Sequence, residues 1–224
     1  MLNLVIAESA LELVPEEVAG HPSVRSDSRR RGLEPSRILL DRSLHHEAMV
    51  RLKEDYKRGR PDLVHLTLLS VTSTPLYQSG RVRVFIHTRD DAVLELREGT
   101  RPPKSYFRFR DLVQKVLAER PSSGLIAYRE WTIPALLRTL APDLAVGLSV
   151  EGRREELGAL AAELARASNA AVLVGGFPKG HFSPGTVRSL DRLVRIDEGS
   201  LDAHVVVARL VYEVERSSST RATS

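Results

Sequence analysis

The chain has 224 residues, 42% of them hydrophobic and 28% charged, an ordinary composition for a globular protein able to bury a core. Lys and Arg total 33 against 29 Asp and Glu, a net charge of +4 with an isoelectric point near 9.6, so a polyanionic partner is implied only where the cations cluster. The absence of cysteine excludes disulfides, thiolate zinc sites and cysteine nucleophiles; the N-terminus turns acidic by Glu8, unlike a signal peptide, and no apolar stretch approaches the roughly 20 residues of a bilayer span. A cytoplasmic protein with no membrane partner is expected.

Residues 2–7 read as a short buried strand. The stretch 20–34 is polar and basic, with Arg29, Arg30 and Arg31 in a row, and reads as a flexible, solvated loop. A second strand is expected at 38–41, then a helix over 44–57 with Met49 and Leu52 on one side, and a buried helix over 62–71 ended by Thr74-Pro75. Strands 82–87 and 92–96 form a hairpin about Arg89-Asp90-Asp91. The spacing of Leu112, Val113, Val116 and Leu117 predicts a helix over 106–119. Beyond it strands at 125–128, 144–150, 171–175 and 193–196 alternate with helices at 133–140, 154–167 and 201–214, and the polar tail 217–224 is expected to be disordered. Such alternation means an α/β fold with a mostly parallel sheet, here as a single domain over 1–224.

The strand 171–175 runs into Gly175-Gly176-Phe177-Pro178-Lys179-Gly180, where glycine lets backbone amides approach a ligand closely. This is neither a P-loop nor GxGxxG, and a plain turn is an equal reading. Gly147-Leu148-Ser149 lies in a second strand, and Gly199-Ser200-Leu201-Asp202-Ala203 leads into the last helix with Ser200 as a candidate N-cap. Three such loops could converge at the carboxyl ends of parallel strands, where α/β ligands sit. Arg101, Lys104, Arg108 and Arg110 are interleaved with Tyr106, Phe107 and Phe109. Cations neutralise phosphates and aromatics stack on bases, although a solvated helix face over core aromatics is the plainer alternative. In Arg60-Pro61-Asp62, Pro61 suits a first helical turn, and Asp62 suits the helix dipole or a pairing with Arg60. The seven histidines form no metal set, and His45-His46 is not HExxH.

In order, Arg60-Pro61-Asp62-Leu63-Val64-His65, Ser73-Thr74-Pro75-Leu76, the hairpin with Val84-Phe85-Ile86-His87-Thr88, Arg101-Pro102-Pro103-Lys104 with Arg108-Phe109, Val174-Gly175-Gly176-Phe177-Pro178-Lys179-Gly180 and Leu201-Asp202-Ala203 resemble the Nep/Emg ribosome-biogenesis family of SPOUT-class methyltransferases. The compact chain looks more like the archaeal members. The resemblance covers nearly the whole chain. It implies a SPOUT-type parallel sheet with a C-terminal trefoil knot, a hairpin-containing insertion near 81–97, a homodimer, and S-adenosylmethionine as cofactor. It also implies methylation of N(1) of a pseudouridine in small-subunit (16S) ribosomal RNA during small-subunit biogenesis. Residue by residue, Leu148, Gly175, Gly180, Ser200, Leu201, Asp202, Ala203, His204 and Val205 would line the cofactor site. Arg60, Arg101, Lys104 and Arg108 would contact RNA, and Asp62 would hold Arg60, its role as a base left open.

The family often has Pro at the place of Ser200 and Arg at that of Lys104, where Lys keeps the charge but lacks the planar fork. Val205, Val206, Val207, Leu210, Val211 and Val214 give the last helix more apolar surface than one face needs, so part of it is expected to pack on a second chain. The competing readings are a non-catalytic RNA-binding assembly chaperone and a nucleotide-dependent metabolic enzyme. Intact cofactor glycines argue against the first, and the missing GxGxxG and Walker lysine against the second.

Overall fold

The computed structural model describes residues 1–219. In chain order the elements are β1 (Leu2–Ser9), α1 (Glu16–Ala19), α2 (Pro22–Arg31), α3 (Arg42–Met49), α4 (Pro61–Thr72), α5 (Pro75–Gln78), β2 (Val82–Thr88), β3 (Val93–Leu96), α6 (Tyr106–Glu119) and β4 (Ile126–Arg129). There follow α7 (Ile133–Leu140), β5 (Leu144–Arg154), α8 (Leu157–Arg166), β6 (Ala170–Gly175), α9 (Pro184–Arg188), β7 (Arg192–Arg195) and α10 (Ala203–Ser219). No helix among the described residues is long and apolar enough to cross a membrane.

A continuous apolar run such as LVIA (4–7) fits where both faces of a sheet are covered, and β1 takes the middle of a seven-stranded sheet of order β4-β3-β2-β1-β6-β5-β7. Val5 pairs with Phe85 on one side and Leu173 on the other, both in parallel. The sheet is parallel from β2 through β7, while β3 and β4 add antiparallel strands at one edge. Alternate residues of β1 feed opposite cores, as the two-residue strand period requires. Leu4 and Ile6 pack with residues of α4, α6, α8 and α10, and Val5 and Ala7 with residues of α7 and α9. A third cluster, with Val18, Val24, Leu40 and Met49, lies under α1 to α3.

Several expectations are corrected. Residues 20–34 hold a helix, α2: His21 accepts from Ser23 N–H at its N-cap, Pro22 opens the first turn, and Gly32 (φ 63°) closes it in the left-handed region. Only Val24 and Asp27 of α2 are buried, which is why hydrophobic periodicity missed it. The stretch 38–41 forms a single bridge, Leu13 with Leu39, and not a strand of the sheet. The helix expected from 44 to 57 stops at Met49, and 154 ends β5 instead of opening α8, whose N-cap is Glu156. Five of the six apolar residues singled out in α10 are consumed inside the protomer: Val206, Val207, Leu210, Val211 and Val214 are all buried against the main core, while Val205 is half-buried and Tyr212 exposed. Those five therefore give no argument for a second chain. Of the expected tail, 217–219 continue α10 and 220–224 lie outside the described residues.

Candidate functional site

The carboxyl ends of β5, β6 and β7 surround a cavity of about 360 Å3, closed by the loop after β6 and the segment entering α10. β5 is displaced from β7 between Leu148 and Arg153, and a Cβ on Gly152 would lie 2.5 Å from the Val194 backbone. This irregularity turns Ser149 and Val150 out of the ladder to form one wall. Leu148, Gly175, Gly180, Ser200, Leu201, Asp202 and Ala203 all line the cavity. His204 and Val205 do not. They sit in the first turn of α10, and a helix that presents Ala203 and Val206 on one side turns the two residues between them away. Sequence reasoning missed Leu63, Arg195, Ile196 and Asp197 as lining residues. The last three end or follow β7, so the rule that ligands meet strand carboxyl ends could have found them.

The loop after β6 is sewn to the end of β1: Gly176 N–H donates to Ala7 O (2.8 Å) and Gly176 O accepts from Ala10 N–H (2.8 Å). A Cβ on Gly176 would fall 2.3 Å from Ser9 Oγ, so only glycine allows this approach. Lys57 holds the far side. Its ammonium donates to His181 O, lies 4.6 Å above the Phe177 ring and 3.6 Å from the Glu8 carboxylate.

Leu63 connects the cavity to α4, whose N-terminus carries Arg60 and Asp62. Arg60 Nε and Nη2 each donate to an Asp62 carboxylate oxygen at 2.8 Å, a planar two-point pairing. That pairing first, and the nearby carboxylates of Asp202 and Asp41 with it, hold the guanidinium pKa above its ordinary value despite partial burial. Both carboxylate oxygens of Asp62 are thus engaged by Arg60. One turn on, His65 Nε2 contacts Pro103 O (2.7 Å) and its ring stacks on Phe109 (4.5 Å between centroids, 18° between planes). His65 thereby ties α4 to α6 and to the Pro102-Pro103 segment, across 38 residues of sequence. Arg101, Lys104 and Arg108 are exposed and form no ion pair among the described residues. Arg110 instead pairs with Asp111 (3.1 Å). The Tyr106 phenol donates to Asp41, the N-cap of α3, and burial followed by this contact raises its pKa far above the ordinary value, so it stays protonated. Sequence reasoning gave no role to Asp41 or His65.

The EMG1/NEP1 methyltransferase family matches residues 4–215. The chain belongs to this family. It is 40% identical over 220 residues to the ribosomal RNA small subunit methyltransferase Nep1 of Pyrobaculum neutrophilum, covering 96% of this chain and 98% of that one. The Nep1 of Aeropyrum pernix is 37% identical, with 97% and 99% covered. Among solved structures, Archaeoglobus fulgidus Nep1 bound to S-adenosylhomocysteine superposes with a TM-score of 0.86 at 34% identity, covering 97% of this chain and 98% of that one.

Chemically, the cavity mixes apolar walls (Leu63, Leu148, Val174, Val206) with glycine backbone and charged side chains of both signs, Lys179 and Arg195 with Asp197 and Asp202. Gly175 is tight as well: a Cβ there would approach the Phe177 ring to 2.8 Å. Such a site suits a ligand with a flat apolar part and a charged end, contacted through main-chain groups.

Proposed function

We propose that the protein transfers a methyl group from S-adenosylmethionine to N(1) of a pseudouridine in small-subunit ribosomal RNA, as a cytoplasmic homodimer serving small-subunit biogenesis. The observation that carries this reading is the continuity of the glycine-lined cavity, through Leu63 and the Arg60–Asp62 pair, with exposed cations that have no ion pair among the described residues. The cavity volume falls within the range of small-molecule sites, about 300–1,000 Å3. Glycine at 175 and 180 lets the loop after β6 pack against Phe177 and Lys57 with its main chain at the cavity, and Arg195 and Lys179 offer cations to a carboxylate. Bound there, the cofactor would supply a methyl group already activated on a sulfonium.

What remains for the chain is positioning and exclusion of water. Leu148, Leu201 and Val206 give the cavity apolar walls. Asp62 fixes the plane of Arg60 at the cavity mouth, where a flexible guanidinium would lose orientation. Arg101, Lys104 and Arg108 would take phosphates, and the target base would leave its stack to reach the cavity. In this reading the whole chain is one SPOUT-type domain, the stretch 81–97 is its inserted hairpin, and the segment from β6 to α10 forms the trefoil knot. The family resemblance supports both the knot and the dimer.

Thermal-shift measurements with S-adenosylhomocysteine, NAD and ATP test the cavity. Stabilisation by S-adenosylhomocysteine alone is expected, about 2.7 kcal/mol at a hundredfold excess over Kd. Methyl transfer to a stem-loop carrying pseudouridine, and none to its uridine counterpart, is expected because the equivalent nitrogen of uridine is bonded to the ribose. A shift with NAD or ATP instead would sink the cofactor assignment. Binding of S-adenosylhomocysteine and RNA without transfer would favour an assembly chaperone.

A further inference from the structure

We propose that Phe107, flanked by Arg30 and Arg110, is a stacking site for an unpaired base of the RNA strand that neighbours the target nucleotide. This rests on the RNA reading above and adds to it a subsite outside the cavity and outside the Arg60, Arg101, Lys104 and Arg108 set.

Phe107 lies in the first turn of α6 and is 66% exposed, one of the most exposed large apolar side chains of the protein. Its ring carries the Arg110 guanidinium 5.4 Å from the centroid and stands tilted against Tyr106 (6.0 Å, 58°). Beside it a depression of about 350 Å3 opens between α2 and α6, lined by Arg30, Arg31, Asp41, Tyr106, Phe107 and Arg110 among others. The depression is built from fixed parts. Tyr106 is held by Asp41. One oxygen of Asp111 accepts from Arg31 (2.8 Å) and from both Nε and Nη2 of Arg110 (3.2 and 3.1 Å), so a single carboxylate serves two guanidiniums. Arg31 Nη1 is buried without a hydrogen-bond acceptor. Arg30 is anchored on the buried Asp27 (2.6 Å) yet two-thirds of its side chain faces solvent.

Charge decides the class of occupant. Three arginines, Arg30, Arg31 and Arg110, line the depression against one lining carboxylate, Asp41, which already accepts from Tyr106, while Asp27 and Asp111 pair with those arginines at its edge. An apolar protein patch would bury these cations at a large cost, whereas a phosphate backbone is drawn to them while its bases use the exposed ring. The position also fits. The Tyr106 ring lies 6.0 Å from that of His65 on α4, the helix whose N-terminus carries Arg60 and Asp62 and whose Leu63 lines the cavity. A strand that delivers its base past Arg60 continues onto Phe107.

The test uses the full chain and a pseudouridine-containing stem-loop, with variants in which one loop nucleotide on either side of the target is abasic. Phe107→Ala is expected to weaken RNA binding about tenfold, and Phe107→Trp to restore or tighten it. One abasic position should weaken wild-type binding by a similar factor and have no further effect on Phe107→Ala, the signature of a direct contact. The thermal shift with S-adenosylhomocysteine, unchanged in Phe107→Ala, reports that the fold is intact. If wild-type protein neither binds nor methylates the stem-loop, the RNA reading itself falls and this subsite with it. If wild type binds and Phe107→Ala binds equally well, or its loss adds to that of every abasic position, only the stacking site is overturned. An altered sedimentation coefficient in Phe107→Ala would assign the ring to a protein contact and likewise overturn the proposal.

Discussion

Gly180 has a φ of +97°, a conformation that side chains with a Cβ rarely adopt, and a Cβ there would sit 2.7 Å from Lys57 Cε. A larger residue at 180 therefore does not simply fill the cavity. It pushes the lysine whose ammonium holds His181 O and covers Phe177, and the loop from 177 to 182 moves with it. Gly180→Val adds β-branching in a backbone region where even an unbranched residue costs about 1–2 kcal/mol. Calorimetry should show S-adenosylhomocysteine binding weakened at least tenfold, with the circular dichroism spectrum unchanged because the loop belongs to no core cluster except through Phe177 and Phe182. Affinity equal to wild type would remove this loop from the cofactor site.

Two elements carry buried histidines whose neutrality the geometry requires. In β2, His87 Nδ1 accepts from Glu8 N–H (3.3 Å), leaving Nε2 to donate to Asp91 (3.1 Å); in α3, His45 Nδ1 accepts from Asp41 N–H (3.1 Å). Burial is the main reason both pKa values lie below the ordinary 6.5, outweighing the aspartates that oppose it. Since the folded pKa is depressed, protonation favours the unfolded chain. The stabilisation is complete above about pH 6.5 and is lost as pH falls through the folded values. The urea midpoint should be flat from pH 8 to 7, then drop between pH 6.5 and 5, and His87→Gln should flatten part of that drop. A midpoint constant to pH 5 would mean that neither ring is held neutral. Nothing in the sequence marked these rings, since their roles depend on backbone amides 79 residues and 4 residues away. By contrast α6 and α7 were legible to their ends, because apolar residues recur at helical spacing between clear breaks. α2 was not, because its inward face includes a carboxylate neutralised by its own arginines. The site was legible as loops and glycines, but a contiguous run from 200 to 205 overstates what one helical face presents.

Over the whole molecule, the modest net charge hides how unevenly free cations are distributed. Many arginines are engaged within the fold: Arg58 with Glu12 in the interior, Arg192 with Glu155 and Glu163, Arg209 with Asp197. Such pairs cancel at distance. Arg101, Lys104 and Arg108 have no such partner among the described residues and are gathered by the His65 link next to Arg60. Their field therefore extends about a Debye length, roughly 8–10 Å, into solvent, in front of the cavity mouth. If this is where RNA lands, the double variant Arg101→Glu, Arg108→Glu exchanges two attractive charges for two repulsive ones. Binding of a ribosomal stem-loop should weaken by tenfold or more at 100 mM salt. The slope of log K against log salt should become shallower by about 1.4–1.8 units, since each of the two lost phosphate contacts removes about 0.7–0.9. Calorimetry with S-adenosylhomocysteine should be unchanged, because neither residue lines the cavity. That separation of readouts matters: a general loss of folding would weaken both ligands, whereas loss of an electrostatic face weakens only the RNA. Filter binding from 50 to 300 mM salt measures the slope, and a double variant with wild-type affinity and slope would leave these cations as an ordinary solvated face.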